Sequence, residues 1–415
     1  MLVELLLLLL PYLFFLWYWD FAHALPESLY SATDAQQYRA YGEYLTGAGG
    51  SASDTRPYLF PLFIRLFDMA GGVFGVWLIQ ALLHVSGGLL LFATIRQTSK
   101  TVFGWVMVWF FYTLHPSLAV HTLYALTETV SVFLMALFVY FLTRKPHADA
   151  FRRVKAVAVL AVAVVVKPVY VYVFVAALMW LIWRERKFLL RRRAALILGF
   201  SLAVVLVQPV LMKLQQGGFF ISRIGEITLR EYYYRLLYAR AEGIHFPLNE
   251  GPAYYDALEI DSAVHGATTG TVAKFALAHP LPAAQTGFEL VYSNIDCSSQ
   301  LIKRFRGAAT TEWWGYVMRK ASLYAHFLAL AGLLFILFRR KWRSFFPGFK
   351  AVSLLLVYIL LVSGISFWQG ISFWQGDRLV IFALPLWVVV YAAVYKAVWT
   401  SLFQPKLPEQ LKSQE

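Results

Sequence analysis

The first polar stretch of the chain combines an acid, an arginine and aromatic residues between two apolar segments. Thr33-Asp34-Ala35-Gln36-Gln37-Tyr38 is followed by Arg56-Pro57-Tyr58-Leu59-Phe60-Pro61. A carboxylate can act as a base or bind a cation, and a planar guanidinium suits a phosphate or diphosphate. Together at a membrane surface they fit chemistry on a lipid-linked phosphate. The simpler alternatives are that Asp34 only caps a helix and that Arg56 extends to lipid headgroups.

Local patterns predict the elements that position these two residues. The spacing of Thr33 and Gln36 is that of a capping box, which predicts a helix beginning at Asp34. One face of this helix is aromatic and apolar, which is typical of a helix lying on a membrane surface. That face carries Tyr38, Tyr41 and Leu45. The prolines of the second stretch predict a short or kinked interfacial segment.

The composition identifies an integral membrane protein. The chain has 415 residues, of which 60% are hydrophobic and 14% charged, and its net charge is +14. Runs of roughly 18 or more apolar residues recur, which predicts an all-α fold with about ten transmembrane helices. In such a protein a positive charge indicates cytoplasmic anchoring and argues against nucleic-acid binding. The candidate spans are 2–19, 72–95, 101–115, 125–142, 155–167, 169–183, 194–211, 321–338, 350–366 and 379–397.

The distribution of basic residues predicts the sidedness of the loops. Arginine and lysine clusters flank segment 155–183 on both sides, so this segment is predicted to be a hairpin of two short helices with Lys167 at its tip. Loops without a basic excess are placed outside, and both chain termini in the cytoplasm. The predicted organisation is a core at 1–211 with a first outer loop at 20–71, a mostly helical outer insertion at 212–318, further spans at 319–397 and a cytoplasmic tail at 398–415.

Several other polar residues are predicted to emerge on the same outer side. Ionisable groups at the edge of membrane spans are functional candidates. They are Glu128, Lys167, Asp377 and Arg378, with His115 and His121 in a short outer turn. The alternatives are structural: Lys167 caps carbonyl groups, Glu128 closes a hairpin, and Arg378 pairs with Asp377. The two histidines and Glu128 lack a tight metal-ligand spacing, so no metal or other cofactor is predicted to be required. The lone Cys297 excludes an intramolecular disulfide.

These motifs resemble the GT-C superfamily of membrane glycosyltransferases, which use polyprenyl-phosphate-linked sugars. The resemblance rests on Asp34 with Tyr38, on the Arg56-to-Pro61 stretch, on Thr127-Glu128, and on Asp377-Arg378 with Pro385. It covers residues 1–185 and, more loosely, 320–397. The chain departs from the family pattern because no second acid follows Asp34 and because turn 116–124 lacks an acidic pair. The latter puts a required divalent metal in doubt. The insertion at 212–318 matches nothing in the pattern.

The resemblance implies a function and assigns roles. Asp34 is expected to take the proton of an acceptor hydroxyl, while Arg56, Lys167 and Arg378 hold the donor phosphate as it leaves, with inversion at the anomeric carbon. Tyr38, Tyr58, His115, Glu128 and Asp377 are further site candidates. The expected acceptor is a glycan, lipid or protein, the expected sugar a hexose or pentose, and the expected location the bacterial inner membrane.

The sequence leaves two other classes of function open. A lipid or glycolipid transporter or flippase usually has internal repeats and polar sites at the bilayer midplane. A non-catalytic assembly factor would share the fold without the chemistry. The insertion is predicted either to cover the active site and select the acceptor or to act only as a stabilising lid. Its residues Tyr233, Leu236, Leu237 and Arg240 are predicted to share one helix face.

Overall fold

The computed structural model describes residues 2–98, 102–143, 150–244, 264, 266–295, 301–302, 305, 307–338, 353, 356–357 and 381–403. Within these ranges every regular element is helical, as the sequence predicts. The helices are α1 Leu2–Tyr18, α2 Phe21–Ser28, α3 Thr33–Leu45, α4 Leu59–Thr98, α5 Val102–Val108, α6 Pro116–His121, α7 Thr127–Thr143, α8 Ala150–Val166, α9 Val171–Leu189, α10 Arg192–Gln216, α11 Ile224–Thr228, α12 Arg235–Ala241, α13 Thr269–Ala278, α14 Pro280–Ile295, α15 Ala308–Phe338 and α16 Leu384–Phe403. Short 3₁₀ or π turns are Trp109–Thr113, Pro168–Tyr170, Leu229–Tyr234 and Ile381–Ala383.

A bundle of apolar helices forms the main core. Helix α7 packs against α4 and α8, and α8 packs against α9 and α10. The inner face of α8 is almost entirely alanine and valine, and these residues are buried. Small side chains let helix backbones approach closely, which is the usual source of packing between membrane helices. Helix α16 packs against α4, α5 and α7 and contributes buried residues to the same core.

Length and composition support several crossings of a membrane. Three helical segments are long and apolar enough to span, namely Leu59–Gln97, Pro168–Leu189 and Arg192–Gln216. The pair α1 and α2 passes the same test together but is bent by 80°. Shorter apolar segments are Val102–Thr113, Thr127–Thr143 and Ile381–Lys396. The chain is therefore a multi-pass membrane protein, and the count of about ten spans stays a prediction. The predicted span 350–366 lies almost wholly outside the described residues, as does most of the tail 398–415.

Helix α4 is broken at two glycines. Gly71 and Gly72 have non-helical backbone angles, and Gly72 lies in the left-handed region with φ 58° and ψ −151°, which side chains disfavour. The break separates residues 59–70 from residues 73–98 of the helix. The prolines that predict a short or kinked segment do not cause this break. Pro57 precedes helix α4, and Pro61 lies in its first turn, where proline is tolerated.

Helix α3 begins one residue earlier than predicted, and the predicted capping box is wrong. Ala32 is the N-cap residue, and no side chain caps the helix. Thr33 instead occupies the first helical position, and the Gln36 amide donates to the Ala32 carbonyl over 3.0 Å. Helix α3 packs closely on α4 at Gly42, where an added Cβ would lie 2.6 Å from the Pro61 carbonyl oxygen.

The insertion has a small hydrophobic core of its own. Tyr233, Leu236 and Leu237 are buried in it, in agreement with the predicted face, and they pack with residues of α13 and α14. Arg240 on α12 donates to Thr286 over 2.9 Å and pairs with Glu289, both on α14. Helices α12 and α14 are thereby held together by polar contacts as well as by apolar packing.

Candidate active site

Asp34 and Arg56 lie in direct contact. Arg56 Nη2 donates to Asp34 Oδ1 over 2.5 Å. Gln37, one turn after Asp34 on α3, accepts from Arg56 Nε over 3.0 Å and from Arg56 Nη2 over 2.9 Å. The guanidinium is therefore held by two side chains of the same helix. Its plane and position are fixed more firmly than a single ion pair would achieve.

Aromatic residues form the floor of this ion pair. The Arg56 guanidinium lies 5.1 Å from the ring centre of Tyr38, which is only 4% exposed. Tyr38 in turn packs edge-on against Phe60, with ring centres 4.9 Å apart. The Asp34 and Arg56 side chains are 18% and 13% exposed, so the pair is largely shielded but still reachable. Shielding strengthens the electrostatic interaction relative to bulk water.

The segment that carries Arg56 is anchored to α10. The Tyr58 amide donates to Gln208 Oε1 over 2.8 Å, and the Tyr58 hydroxyl donates to the Val204 carbonyl over 3.1 Å. Burial raises the pKa of Tyr58, so the phenol stays protonated and remains a donor. Helix α3 has a matching anchor, because the Tyr41 hydroxyl donates to Gln215 Oε1 over 3.2 Å. Tyr58 therefore positions the arginine segment from outside the ion pair.

A second acid–cation pair joins Lys167 to Glu128. Lys167 lies between α8 and the turn Pro168–Tyr170, at the tip of the predicted hairpin, and its Nζ is 3.2 Å from Glu128 Oε1 in the first turn of α7. Glu128 is 1% exposed and the Lys167 side chain 16% exposed. The same ammonium lies 4.4 Å from the ring centre of Phe382. Glu128 thus joins the start of α7 to the tip of the α8–α9 hairpin.

A short segment after α10 connects the two pairs. Ser222 Oγ donates to the Thr55 carbonyl over 2.7 Å, next to Arg56, and the Arg223 amide donates to the Asp54 carbonyl over 3.0 Å. Helix α11, which follows directly, contacts the turn Pro168–Tyr170 beside Lys167. The contacts therefore bring Asp34, Arg56, Glu128 and Lys167 to one end of the helix bundle.

The turn that contains the two histidines is deeply buried. Its backbone joins the first loop, since the Ala125 amide donates to the Leu29 carbonyl over 2.9 Å. Burial, reinforced by the nearby His121, lowers the pKa of His115 from 6.5 to about 3. Across the described residues, no three His, Cys, Asp or Glu side chains come together as metal ligands. His115, His121 and Glu128 accordingly do not form the three-ligand cluster that their sequence positions allowed.

Two of the predicted site residues, Asp377 and Arg378, lie outside the described residues. The structure also shows two glutamines, Gln37 and Gln208, that contact the site residues and that the sequence analysis does not predict. Gln37 had a usable signal, because it lies three residues after Asp34 and so shares its helix face. Gln208 had no such signal, since its contact with Tyr58 joins residues that are 150 positions apart.

The chemical consequence is that Arg56 and Lys167, the two described cations that are predicted to bind phosphate, each already contact a carboxylate. The phosphodiester of a lipid-linked sugar offers a guanidinium two non-bridging oxygens, more acceptor atoms than one carboxylate oxygen does. If Arg56 turned to such a ligand, the Asp34 carboxylate would lose its partner and become available to accept a proton. A candidate base, Asp34, and a candidate phosphate ligand, Arg56, thus lie within one contact of each other.

Comparison with known proteins gives one family match. Residues 55–212 match the family model described as dolichyl-phosphate-mannose-protein mannosyltransferase. This range contains Arg56, Glu128 and Lys167. Among solved structures, the chain is similar to the crystal structure of ArnT from Cupriavidus metallidurans bound to undecaprenyl phosphate, with 12% identity and a TM-score of 0.38 over 96% of this chain and 81% of that one. This likeness is too weak to bear on the site. No curated protein matches the chain significantly.

Proposed function

We propose that this chain is a GT-C-type membrane glycosyltransferase that moves a sugar from a polyprenyl-phosphate donor to a hydroxyl acceptor, with Asp34 as the general base. The observation that carries the proposal is the 2.5 Å contact between Asp34 and Arg56. This contact supports the proposal because it joins a candidate proton acceptor to a candidate phosphate ligand, the two kinds of group that the transfer needs. The matched family's description names a polyprenyl-phosphate sugar, which supports the donor class.

The reaction follows from the positions of these groups. The donor phosphate draws Arg56 away from Asp34, and the freed carboxylate accepts the acceptor's hydroxyl proton. The hydroxyl oxygen forms a bond to the anomeric carbon as the bond from that carbon to the phosphate oxygen breaks, and the electron pair leaves with the lipid phosphate. Attack opposite the leaving group inverts the anomeric centre. Because a carboxylate is a weak base toward an alcohol, phosphate departure accounts for much of the barrier.

Further cations complete the phosphate site in this proposal. Lys167 is partly exposed at the same end of the bundle, with its ammonium 3.2 Å from Glu128 Oε1, and in this proposal it extends to a second phosphate oxygen. Arg378 is the third proposed phosphate ligand, with Asp377 beside it. A point charge such as lysine adds attraction with little geometric demand, whereas Arg56 sets the orientation. No divalent metal is part of the proposed chemistry.

The proposed setting follows the distribution of charge along the sequence. Basic clusters flank the far ends of α8 and α9 and suit the cytoplasm. We therefore place the Asp34 end on the outer face of a bacterial inner membrane, with both termini in the cytoplasm. The sugar is a hexose or pentose, and the acceptor is a glycan, lipid or protein hydroxyl.

The experiment that tests the donor site needs no knowledge of the acceptor. Binding of synthetic polyprenyl phosphate to the protein in lipid nanodiscs is measured for wild type, Arg56→Gln and Arg39→Gln. Arg39 is the matched control, because it also pairs with an acid, Glu43 at 3.1 Å, but on the exposed side of α3. We expect Arg56→Gln to weaken binding about tenfold or more and Arg39→Gln to leave it unchanged. Equal binding by all three proteins would contradict the proposal.

A second measurement tests the reaction itself. The protein is incubated with polyprenyl-phosphate hexoses and pentoses, and release of polyprenyl phosphate is followed with and without added cell-envelope extract. Turnover that depends on a particular sugar and on the extract supports transfer. Movement of intact donor between the leaflets, with no release of polyprenyl phosphate, would instead identify a flippase.

A further inference from the structure

Two polar residues of helix α14 in the insertion, Thr286 and Glu289, are turned inward. Thr286 is fully buried and accepts from Arg240 over 2.9 Å, and Glu289 pairs with the same arginine. Leu290, on the same side, is also buried in the insertion core. A helix on the surface of a soluble domain normally turns charged residues outward. The arrangement here is the reverse.

The outward side of α14 is uncharged and mostly apolar. It carries Leu281, Ala284, Gln285, Phe288 and Tyr292, which follow one another at the spacing of a single helix face. Leu281 is 67% exposed, Phe288 68% and Tyr292 39%. Leu277 at the end of α13, 81% exposed, extends the stripe. These four large residues, Leu277, Leu281, Phe288 and Tyr292, are called the insertion's apolar face.

Helix α14 lies against α15, which contains the predicted span 321–338. Val291 of α14 packs against the main bundle core. The first turns of α15 expose Trp313 to 64% and Tyr316 to 50%. Tryptophan and tyrosine at the head of a membrane helix mark the level of the membrane–water interface. Helix α14 therefore lies beside the point where α15 reaches the bilayer.

We propose that the insertion's apolar face docks on the bilayer, in the interface of the leaflet on the insertion's own side. A membrane interface is the partner that accepts an uncharged apolar stripe with an aromatic residue at its end. The exposed Lys274 on α13, three residues before Leu277, suits the phosphate of a lipid headgroup at the margin of this face. The docking is independent of glycosyl transfer. It would hold the insertion core beside the membrane, where a lipid-linked ligand arrives.

A site-directed spin-label experiment tests the docking. The native Cys297 is replaced by serine, and single cysteines are introduced as Leu281→Cys, Phe288→Cys and, as the matched control, Glu242→Cys. Glu242 is an exposed charged residue at the end of α12 in the same insertion. Each labelled protein is reconstituted in phosphatidylcholine–phosphatidylglycerol nanodiscs. The collision rates of the label with oxygen, which concentrates in lipid, and with a water-soluble nickel chelate are then compared.

We expect the ratio of oxygen to nickel accessibility at positions 281 and 288 to exceed that at 242 by about threefold or more. Two results would overturn the proposal. Nickel accessibility equal to that of position 242 would show that the face is in water. Shielding from both reagents would show that protein covers it, either another part of this chain or a second copy. Because 281 and 288 are tested separately, misfolding of one variant leaves the other decisive.

Discussion

Replacing Asp34 with asparagine should change turnover and phosphate binding in opposite directions. Asparagine keeps the size of the side chain and an oxygen that Arg56 can donate to, but it removes the negative charge and the proton-accepting ability. Loss of a general base typically lowers the rate by about 10²- to 10⁴-fold. We expect turnover in Asp34→Asn to fall by that factor while the protein keeps its fold.

The effect on binding can be worked from the contact itself. A hydrogen bond to a charged group contributes about 1.5–3 kcal/mol, and the pair here is 18% and 13% exposed and shares Arg56 with Gln37. Discounted for that exposure, the Asp34 charge competes for Arg56 with about 1–2 kcal/mol, which corresponds to a factor of roughly 5 to 30. Polyprenyl phosphate should therefore bind Asp34→Asn more tightly than wild type, by up to that factor.

The assay combines equilibrium binding of polyprenyl phosphate with release of polyprenyl phosphate from the sugar donor. Glu43→Gln is the control, because Glu43 is an acid of the same helix whose arginine partner, Arg39, lies away from Arg56. The control should behave as wild type in both measurements. Turnover of Asp34→Asn within about threefold of wild type would refute the base assignment. Weaker phosphate binding by Asp34→Asn would refute the exchange of Arg56 between carboxylate and phosphate.

Three further predictions concern the elements around the site. Lys167→Met should destabilise the protein by about 2–4 kcal/mol, because it leaves the buried Glu128 charge without its lysine. The double variant with Glu128→Gln should regain much of this stability, and thermal unfolding of both variants measures the difference. Gly42→Ala should lower stability by about 1–3 kcal/mol, because the added Cβ would lie 2.6 Å from a carbonyl oxygen of α4. The control Gly199→Ala, whose Cβ would have nothing within 4 Å, should be neutral or stabilising. Equal melting temperatures of the two variants would contradict this packing. Burial lowers the pKa of His115 from 6.5 to about 3, so the folded state binds fewer protons than the unfolded state below pH 6.5. The stabilising contribution should therefore be complete above pH 6.5 and fall as the pH drops toward 3, by up to about 1.4 kcal/mol per pH unit. His115→Gln should flatten that part of the pH profile, and an unchanged slope would count against the buried neutral histidine.

Local patterns in the sequence were sufficient to predict the hairpin at Lys167. The hairpin at Lys167 followed from basic clusters on both of its flanks together with a proline, and the structure has α8 ending at Val166 and a 3₁₀ turn at Pro168–Tyr170. The buried face of the insertion helix followed from residue spacing in the same way. These signals are local, because they depend on charge and hydrophobicity within one or two helix lengths.

The errors arose where several local signals compete. The capping pattern at Thr33 was present, but Ala32 serves as the N-cap residue, so the helix gains one residue at its start. Pro57 and Pro61 predict a short or kinked segment, but the break in helix α4 occurs at Gly71–Gly72, where Gly72 has a positive φ. A proline restricts its own φ wherever it lies, whereas a glycine bend depends on packing that the sequence does not state.

The pairing of acids with cations was beyond local inference for a physical reason. The sequence placed Asp34, Arg56, Glu128 and Lys167 on one side of the membrane and gave each a separate role. The structure joins them in two pairs whose members lie 22 and 39 positions apart. Partly buried charges are costly unless they are paired. Cations proposed to bind a phosphate, such as Arg56 and Lys167, therefore need an anionic partner while no phosphate is bound. Pairing Arg56 with the proposed base links the two functions, because the ligand that takes the cation also releases the carboxylate.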